Sequence, residues 1–449
     1  MKTIEDYLKH NATHFPDKVA VMCHGTETSY SELYDQVCKM AEQLRSQTSY
    51  RPGSCRIIVN SQDLDFLVRY FALHLAGYVV VPIEKDSPES RITEIEKTIS
   101  GESFDESIAD ILFTTGTTGN SKGVIISHSV ILANAENLVD AQGFTHDVKF
   151  VINGPLNHIG SLSKIYPTMM VGGTLVIIDG MKNINDFFDA FDYCGSCIGT
   201  FLVPASIRML IQFSKDRLAE YADKIDFIET GAAPMAESDM KLLCEILPHS
   251  RLFNTYASTE TGIIATHNFN SSLCVAGCLG KAMKNSKFFI TEEGTVACSG
   301  KTIMTGYVGD PTKTAEILKD GIIYTADFAN IDEEGRLHLM GRKDDVINIG
   351  GFKVAPTEVE NIALSHPSVK DCICITGKHP VIGTVLKLLV VTKDGTKLDK
   401  HSLALYIQSQ VERYKVPLLY EQVEKIQRTF NGKLDRKFYK TYSDHKGNK

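Results

Sequence analysis

At 449 residues the chain is longer than one hydrophobic core serves, so two or three domains are expected, and 43% hydrophobic with 23% charged residues describes an ordinary soluble globular protein. Its formal net charge of -8 disfavours nucleic acid or an anionic membrane as the main partner, so any anionic ligand must be held by local groupings of donors. No 18-residue apolar run occurs, and the start MKTIEDYLKH is acidic and polar where a signal peptide would be basic and then apolar, so a cytoplasmic protein is expected.

Leu64, Leu67, Val68, Phe71 and Leu75 recur at helical spacing, and the apolar run 78–83 follows as a buried strand. Residues 110–113 read as another strand and run into FTTGTTGNSKGV at 113–124. Short β-prone runs at 172–178, 198–203 and 225–230, each bracketed by helical or turn sequence, continue the alternation of an α/β fold. The eleven cysteines are scattered. Cys194 and Cys197 have the spacing of a redox or zinc pair but lack a second pair and sit in apolar sequence, so buried free thiols are expected. From Glu292 to Met340 short strands alternate with Gly turns, which places a β-rich subdomain at about 275–340. After Gly341 a further segment reads strand, helix (356–364), two strands (369–376 and 385–392), helix (400–412) and strand, enough for a small α+β domain of its own. The expected architecture is α/β, with a large multi-subdomain N-terminal α/β domain (1–342) and a small C-terminal domain (343–449).

The run at 113–124 is the most specific chemically. Gly116, Gly119 and Gly123 let the backbone turn tightly and aim N–H groups at an anion, Thr114, Thr115, Thr117 and Thr118 add hydroxyl donors, and Lys122 adds a point charge. A polyphosphate grip fits these residues. A Walker P-loop does not, because the lysine follows Asn-Ser rather than the second glycine of GxxxxGK[ST]. Alone, the run could be a plain Gly/Thr turn between two elements. It is accompanied by NTYASTE at 254–260, YTAD at 324–327, GRKDDVINIGGFKVAPTEVE at 341–360 and RTFNGKLDR at 428–436.

With these five motifs in this order, the chain from about Ile4 to Lys437 resembles the adenylate-forming superfamily: acyl-CoA and aryl-CoA synthetases, the adenylation domains that load carrier proteins, and luciferases. The resemblance implies that the 113–124 loop holds the β- and γ-phosphates of ATP, that Glu260 holds Mg²⁺ and that Thr259 reaches the α-phosphate. Tyr256, in the motif that opens at Asn254, would stack on adenine opposite the Gly231-Ala232-Ala233-Pro234 turn, while Asp327 and Arg342 would contact the ribose. Lys433 would lie between the substrate carboxylate and the α-phosphate; by composition alone it reads as a solvated loop lysine, but Arg428-Thr429 before it match the family's R-T-x-x-G-K pattern. The resemblance also implies a mobile C-terminal domain hinged at Asp344. After pyrophosphate leaves, its rotation would bring the strand with Gly350, Gly351 and Phe352 to line a tunnel for a thiol, either CoA or a carrier-protein phosphopantetheine.

The acyl pocket by the same resemblance takes in Asn157, His158, Ser161 and Val203. A lone histidine is often structural, but His158 follows Pro-Leu-Asn where many relatives have Pro-Leu-aromatic-His. Asn157 therefore marks a different, more polar pocket mouth. Ser121 and Ala257 are milder departures, and the stretch between residue 83 and the phosphate loop is shorter than in relatives, so the N-terminal sheet is expected to be pared down. The in-order pocket segment 157–164 carries no acid that could pair with an α-ammonium, which disfavours amino acid substrates and favours a modest aryl or short-to-medium acyl acid. Three readings stand: an AMP-forming carboxylic acid:CoA ligase, a stand-alone adenylation enzyme that loads an acyl carrier protein, and a non-catalytic nucleotide-binding homologue.

Overall fold

Apolar spacing and capping chemistry set the first elements. The helix Leu64–Leu75 starts at Asp63, whose carboxylate accepts from the Phe66 N–H, and buries Phe66, Leu67, Phe71 and Leu73. Tyr30–Ser46 starts with a capping box between Ser29 and Glu32. The computed structural model describes residues 1–114, 122–271, 275, 277–349, 352–429 and 433–445.

Among the described residues a 14-stranded sheet dominates. Its central strands Val19–Cys23, Thr174–Ile177, Lys149–Ile152, Ile198–Phe201, Ile225–Gly231 and Arg251–Ser258 are mutually parallel, and antiparallel strands extend it on both sides. The parallel strands are buried nearly throughout, as strands covered on both faces must be. A second, five-stranded sheet runs Gly306–Tyr307, Lys122–Ser127, Ile108–Thr114, Val79–Ile83 and Cys55–Val59. In this N-terminal part Glu89–Ile99 is the only helix between Val79–Ile83 and Ile108–Thr114 among the described residues. Apart from Gly306–Tyr307, the strands from Cys278 to Arg342 continue the ladder of the large sheet rather than forming a separate one.

Hydrophobic clusters up to Leu337 and those from Ile347 onward share no member. The C-terminal body is the strand pair Val369–His379 and Gly383–Thr392 with Leu419–Gln422 alongside, covered by Pro356–Leu364 and Lys400–Gln408. The second of these helices stops four residues short of the sequence expectation. There the chain tightens, with Gln410 N–H donating to Ile407 O, and a 3-10 turn at Arg413–Lys415 lets Lys415 reach both Glu358 and Glu412. Cys194 is buried and free, and burial pushes its thiol up to about 12; Cys197 is also free but only half-buried, contrary to expectation, while Cys372 and Cys374 are buried on one strand face. No helix among the described residues is long and apolar enough to cross a membrane.

One buried charge group ties the N-terminal elements together. His74 donates from Nδ1 to Glu5 (2.8 Å) and from Nε2 to Asp110 (3.1 Å), and Tyr70 OH donates to the second oxygen of Asp110 (2.8 Å). Burial alone would lower the ring's pKa, but the two carboxylates outweigh it and raise it from 6.5 to about 10, so the ring is an imidazolium at neutral pH. Since the folded-state value lies above the unfolded one, the stability it contributes is complete below pH 6.5 and is lost as pH rises through about 10. Denaturant melts of wild type and His74→Asn should therefore differ most near pH 6.5 and converge toward pH 10; a gap that widens with pH contradicts the charged ring.

Candidate active site

Four neighbouring parallel strands end at the same edge of the large sheet, and each delivers a loop there: Lys149–Ile152 leads to 153–158, Ile198–Phe201 to 202–204, Ile225–Gly231 to 232–235, and Arg251–Ser258 to Thr259 and Glu260. Carboxyl ends of parallel strands are where open α/β sheets bind ligands. The loop after Gly231 is held in a conformation that side chains rarely adopt. Ala232 has φ +65°, and a Cβ on Gly231 would lie 2.9 Å from the Thr255 carbonyl, so the turn needs glycine before it and keeps an exposed alanine in the left-handed region. Ala233 and Pro234 complete the turn ahead of the helix Glu237–Ile246.

At the phosphate end, Thr114 and Lys122 face each other across a hairpin, the last and first residues of Ile108–Thr114 and Lys122–Ser127. Thr115, Gly116, Thr117, Thr118 and Gly119 lie outside the described residues. Gly123 is needed for packing, since a Cβ there would meet Val308 at 2.5 Å and Ile111 at 2.8 Å. The Lys122 ammonium lies 5.1 Å from the centre of the Tyr307 ring, and Tyr307 OH donates to Glu260 Oε1 (2.9 Å). Burial, then the Glu260 charge, pushes the Tyr307 hydroxyl well above its ordinary pKa, so it remains a donor. Sequence reading missed Tyr307. It lies 47 residues from Glu260, in no recognisable motif, and only the pairing of Gly306–Tyr307 with Lys122–Ser127 brings it in.

At the other end of the turn, Tyr256 OH donates to Asp327 Oδ2 (2.7 Å), and Arg342 Nε lies 3.4 Å from Asp327 Oδ1. Antiparallel pairing of Ile322–Ile331 with Leu337–Arg342 sets Asp327 directly opposite Arg342. Asn254 is buried two residues earlier in the same strand, and its amide donates to the Cys278 carbonyl (2.9 Å), which suits a role in fixing the strand.

On the acyl side, His158 precedes the helix Ile159–Val171, and its Nε2 lies 3.3 Å from Glu84, just past Val79–Ile83. Hydrogen bonding from His158 holds the Glu84 carboxyl below its ordinary value, with Asn157 adding a further hydrogen bond. Asn157 also accepts from Asn60 (3.3 Å). Ser161 is buried against Gly154, and Val203 caps the helix Pro204–Phe213. Behind them Lys164 and Glu229 form a fully buried ion pair (2.7 Å), with the ammonium 5.3 Å from the Phe201 ring centre. Burial lowers the Lys164 pKa while Glu229 opposes it. A lysine inside an apolar helix and a glutamate in a buried strand are legible oddities in the sequence, and they could have been paired.

The C-terminal body adds Lys433. It is exposed, and loss of solvation around its ammonium and then Arg342 lower its pKa, against the pull of Asp327 and Glu260. Its ammonium is therefore within electrostatic reach of the residues at both ends of the site. Asp344 sits in the 3-10 turn Lys343–Asp345, and its carbonyl accepts from Lys440 (3.0 Å). Phe352 is exposed and stacks on Tyr414 with ring centres 4.6 Å apart, while Gly350 and Gly351 lie outside the described residues.

Known proteins resemble both parts of the chain. The family model for AMP-binding enzyme matches residues 8–100 and 96–308, and that for the AMP-binding enzyme C-terminal domain matches 358–433. A feruloyl-CoA synthase of an Amycolatopsis species is 26% identical over 93% of this chain and 94% of its own length. An indoleacetate–CoA ligase of Aromatoleum aromaticum is 28% identical over 72% of this chain and 65% of its own length. Among solved structures, ATP-bound MatB from Rhodopseudomonas palustris superposes with TM-score 0.88 at 22% identity over 99% of both chains, and o-succinylbenzoate-CoA synthetase from Bacillus subtilis with its acyl-adenylate gives 0.84 at 21% over 97% of both.

The strained turn can be checked separately from activity. Ala232→Gly removes the left-handed penalty while adding glycine's backbone entropy, so its melt should stay within about 1 kcal/mol of wild type. Ala232→Val, β-branched at positive φ, should lose about 1–2 kcal/mol more than the glycine variant.

Proposed function

The chain belongs to the AMP-binding enzyme family, and on that premise we propose that it is an AMP-forming carboxylic acid:CoA ligase. It joins an acid to the α-phosphorus of ATP, releasing pyrophosphate, and then passes the acyl group from AMP to a thiol. The observation that carries this reading is the geometry at the strand ends, with Tyr256 OH on Asp327 (2.7 Å), Arg342 beside it (3.4 Å) and Tyr307 OH on Glu260 (2.9 Å), and with the charges of Arg342, Asp327 and Glu260 acting on Lys433 of the C-terminal body. A carboxylate and a triphosphate repel each other, and a cation between them at the reacting phosphorus offsets that repulsion where charge develops. Lys433 suits that role. Tyr256 and the 231–234 turn bind the base, Asp327 accepts from the ribose hydroxyls, and Arg342 steadies Asp327.

Lys122 holds the outer phosphates from its end of the hairpin, together with the hydroxyls and N–H groups of the loop. The donor chemistry beside it fits a hard cation: the Glu260 carboxylate, oriented by Tyr307 OH, would hold Mg²⁺, which when bound neutralises phosphate charge. The names of the relatives as CoA synthases and ligases support CoA as the acceptor thiol. A carrier-protein phosphopantetheine shares the same reacting end. Joint presence of Lys433, Glu260, Asp327 and Arg342 around one cleft argues against a non-catalytic homologue.

For the acid, the pocket walls supply Asn157, His158, Ser161, Val203 and Phe201. Of the nearby carboxylates, Glu229 is already paired with Lys164, and Glu84 lies 3.3 Å from His158. An α-ammonium would have to draw Glu84 away from His158 and Asn157, against a desolvation penalty of several kcal/mol. Acids with uncharged tails are the substrate class, aryl or short-to-medium acyl.

With a matching acid, ATP and Mg²⁺, the products should be pyrophosphate, AMP and a thioester. ADP and orthophosphate in their place would falsify the reading. Lys433→Ala should slow acyl-AMP formation by about 10²–10³-fold yet still convert synthetic acyl-AMP and CoA to product. Pyrophosphate release across pairs of acids and size-matched amino acids should favour the acids clearly; preference for any amino acid overturns the pocket assignment.

A further inference from the structure

Arg208 lies at the second turn of Pro204–Phe213, the helix whose first residues border the acyl pocket, and it faces away from the pocket toward the C-terminal body. Its guanidinium donates to Asp239 of the helix Glu237–Ile246 at 2.8 Å from Nη2 and 2.9 Å from Nε, and its Nη1 lies 3.7 Å from Asp371 Oδ1. Asp371 belongs to the C-terminal strand Val369–His379, and Arg428 Nη2 donates across both its oxygens at 2.8 and 3.0 Å. Arg428 in turn bridges to Leu434 across the loop whose end is Lys433, and Thr429 N–H donates to the Lys433 carbonyl (2.8 Å). Four alternating charges, Asp239, Arg208, Asp371 and Arg428, thus run from the N-terminal body to the base of the lysine loop. The side chains of Arg208 and Asp371 are only 18% and 20% exposed, so solvent screens this link less than it would a surface pair.

We propose that Arg208 is a positioning residue for the adenylation step: its pairing with Asp371 latches the C-terminal body in the orientation that presents Lys433 to Glu260 and Asp327. Arg208 touches no reacting atom and acts through Asp371 and Arg428. Because it shares a helix with the pocket-bordering Val203, the latch also joins the acid site to the placement of the lysine. The proposal rests on the ligase reading above.

The test separates the half-reactions in Arg208→Met, Arg208→Lys and Asp239→Asn, each first checked by thermal melt. Acyl-AMP formation is followed by pyrophosphate release, and thioester formation by supplying synthetic acyl-AMP with CoA. For Arg208→Met, kcat of adenylation should fall about five- to tenfold, as expected for one link of a partly buried charge network. KM for ATP should change little, and thioester formation should be unchanged or faster. Arg208→Lys keeps the charge and should restore most of the loss, while Asp239→Asn, which leaves the cross-body pair, should keep the wild-type ratio of the two rates. If Arg208→Met proves unstable, Arg208→Gln, which retains a hydrogen bond to Asp239 without the charge, takes its place. An equal fall in both half-reactions, or no fall in either, overturns the latch. Failure of wild type to make acyl-AMP from any acid refutes instead the reading on which it rests.

Discussion

The constraint on which the site depends is the shared direction of four strands. Parallel pairing of Lys149–Ile152, Ile198–Phe201, Ile225–Gly231 and Arg251–Ser258 forces their carboxyl ends to one edge, whatever the connecting helices do. Residues separated by a hundred positions in sequence then become neighbours. The 153–158 loop, the 231–234 turn and the Thr259-Glu260 corner follow one another along that edge in the order of the strands. Moving any of these strands by one position would turn its side chains over and take its loop out of line.

Charge is distributed with the same economy. As the ligase proposed above, a protein of net charge -8 would have to hold a polyphosphate against its own field. Lys122, Arg342 and Lys433 would supply the cations, and Arg342 lies against Asp327 (3.4 Å). That carboxylate keeps a flexible cationic side chain aimed before any ligand arrives, which reduces the ordering cost of binding. Tyr307 works similarly on Glu260, fixing one oxygen and leaving the other available.

Much of this was readable in the chain. Apolar periodicity was enough for Leu64–Leu75 and for the buried strands expected at 78–83, 225–230 and 369–376, which run over Val79–Ile83, Ile225–Gly231 and Val369–His379, because burial on a helix face or in a sheet leaves a direct mark on residue choice. Of the motif residues, Asp327 and Arg342 meet across paired strands, and Glu260 stands at the end of Arg251–Ser258. What local pattern could not carry were long-range partners. Tyr307 reaches Glu260 only through a two-residue strand, Glu84 reaches His158 from the end of another sheet, and Arg208 looks like any helix surface arginine until Asp371 is seen beside it. The early end of Lys400–Gln408 was hidden for a related reason, since helix propensity gives way there to Lys415 and its two glutamates.

The Glu5–His74–Asp110 group has a bearing on motion as well as stability. Terminal helices usually fray, because little is lost when they open. Here, lifting Ile4–His14 off the core would withdraw one of the two carboxylates that keep a fully buried imidazolium charged, leaving the other to balance it alone. The first helix is thereby bound into the same cooperative unit as Ile108–Thr114, the strand that carries the phosphate hairpin. Amide exchange in the opening turns of the chain would then report on the rigidity of the strand leading to Thr114, at the far side of the N-terminal sheet.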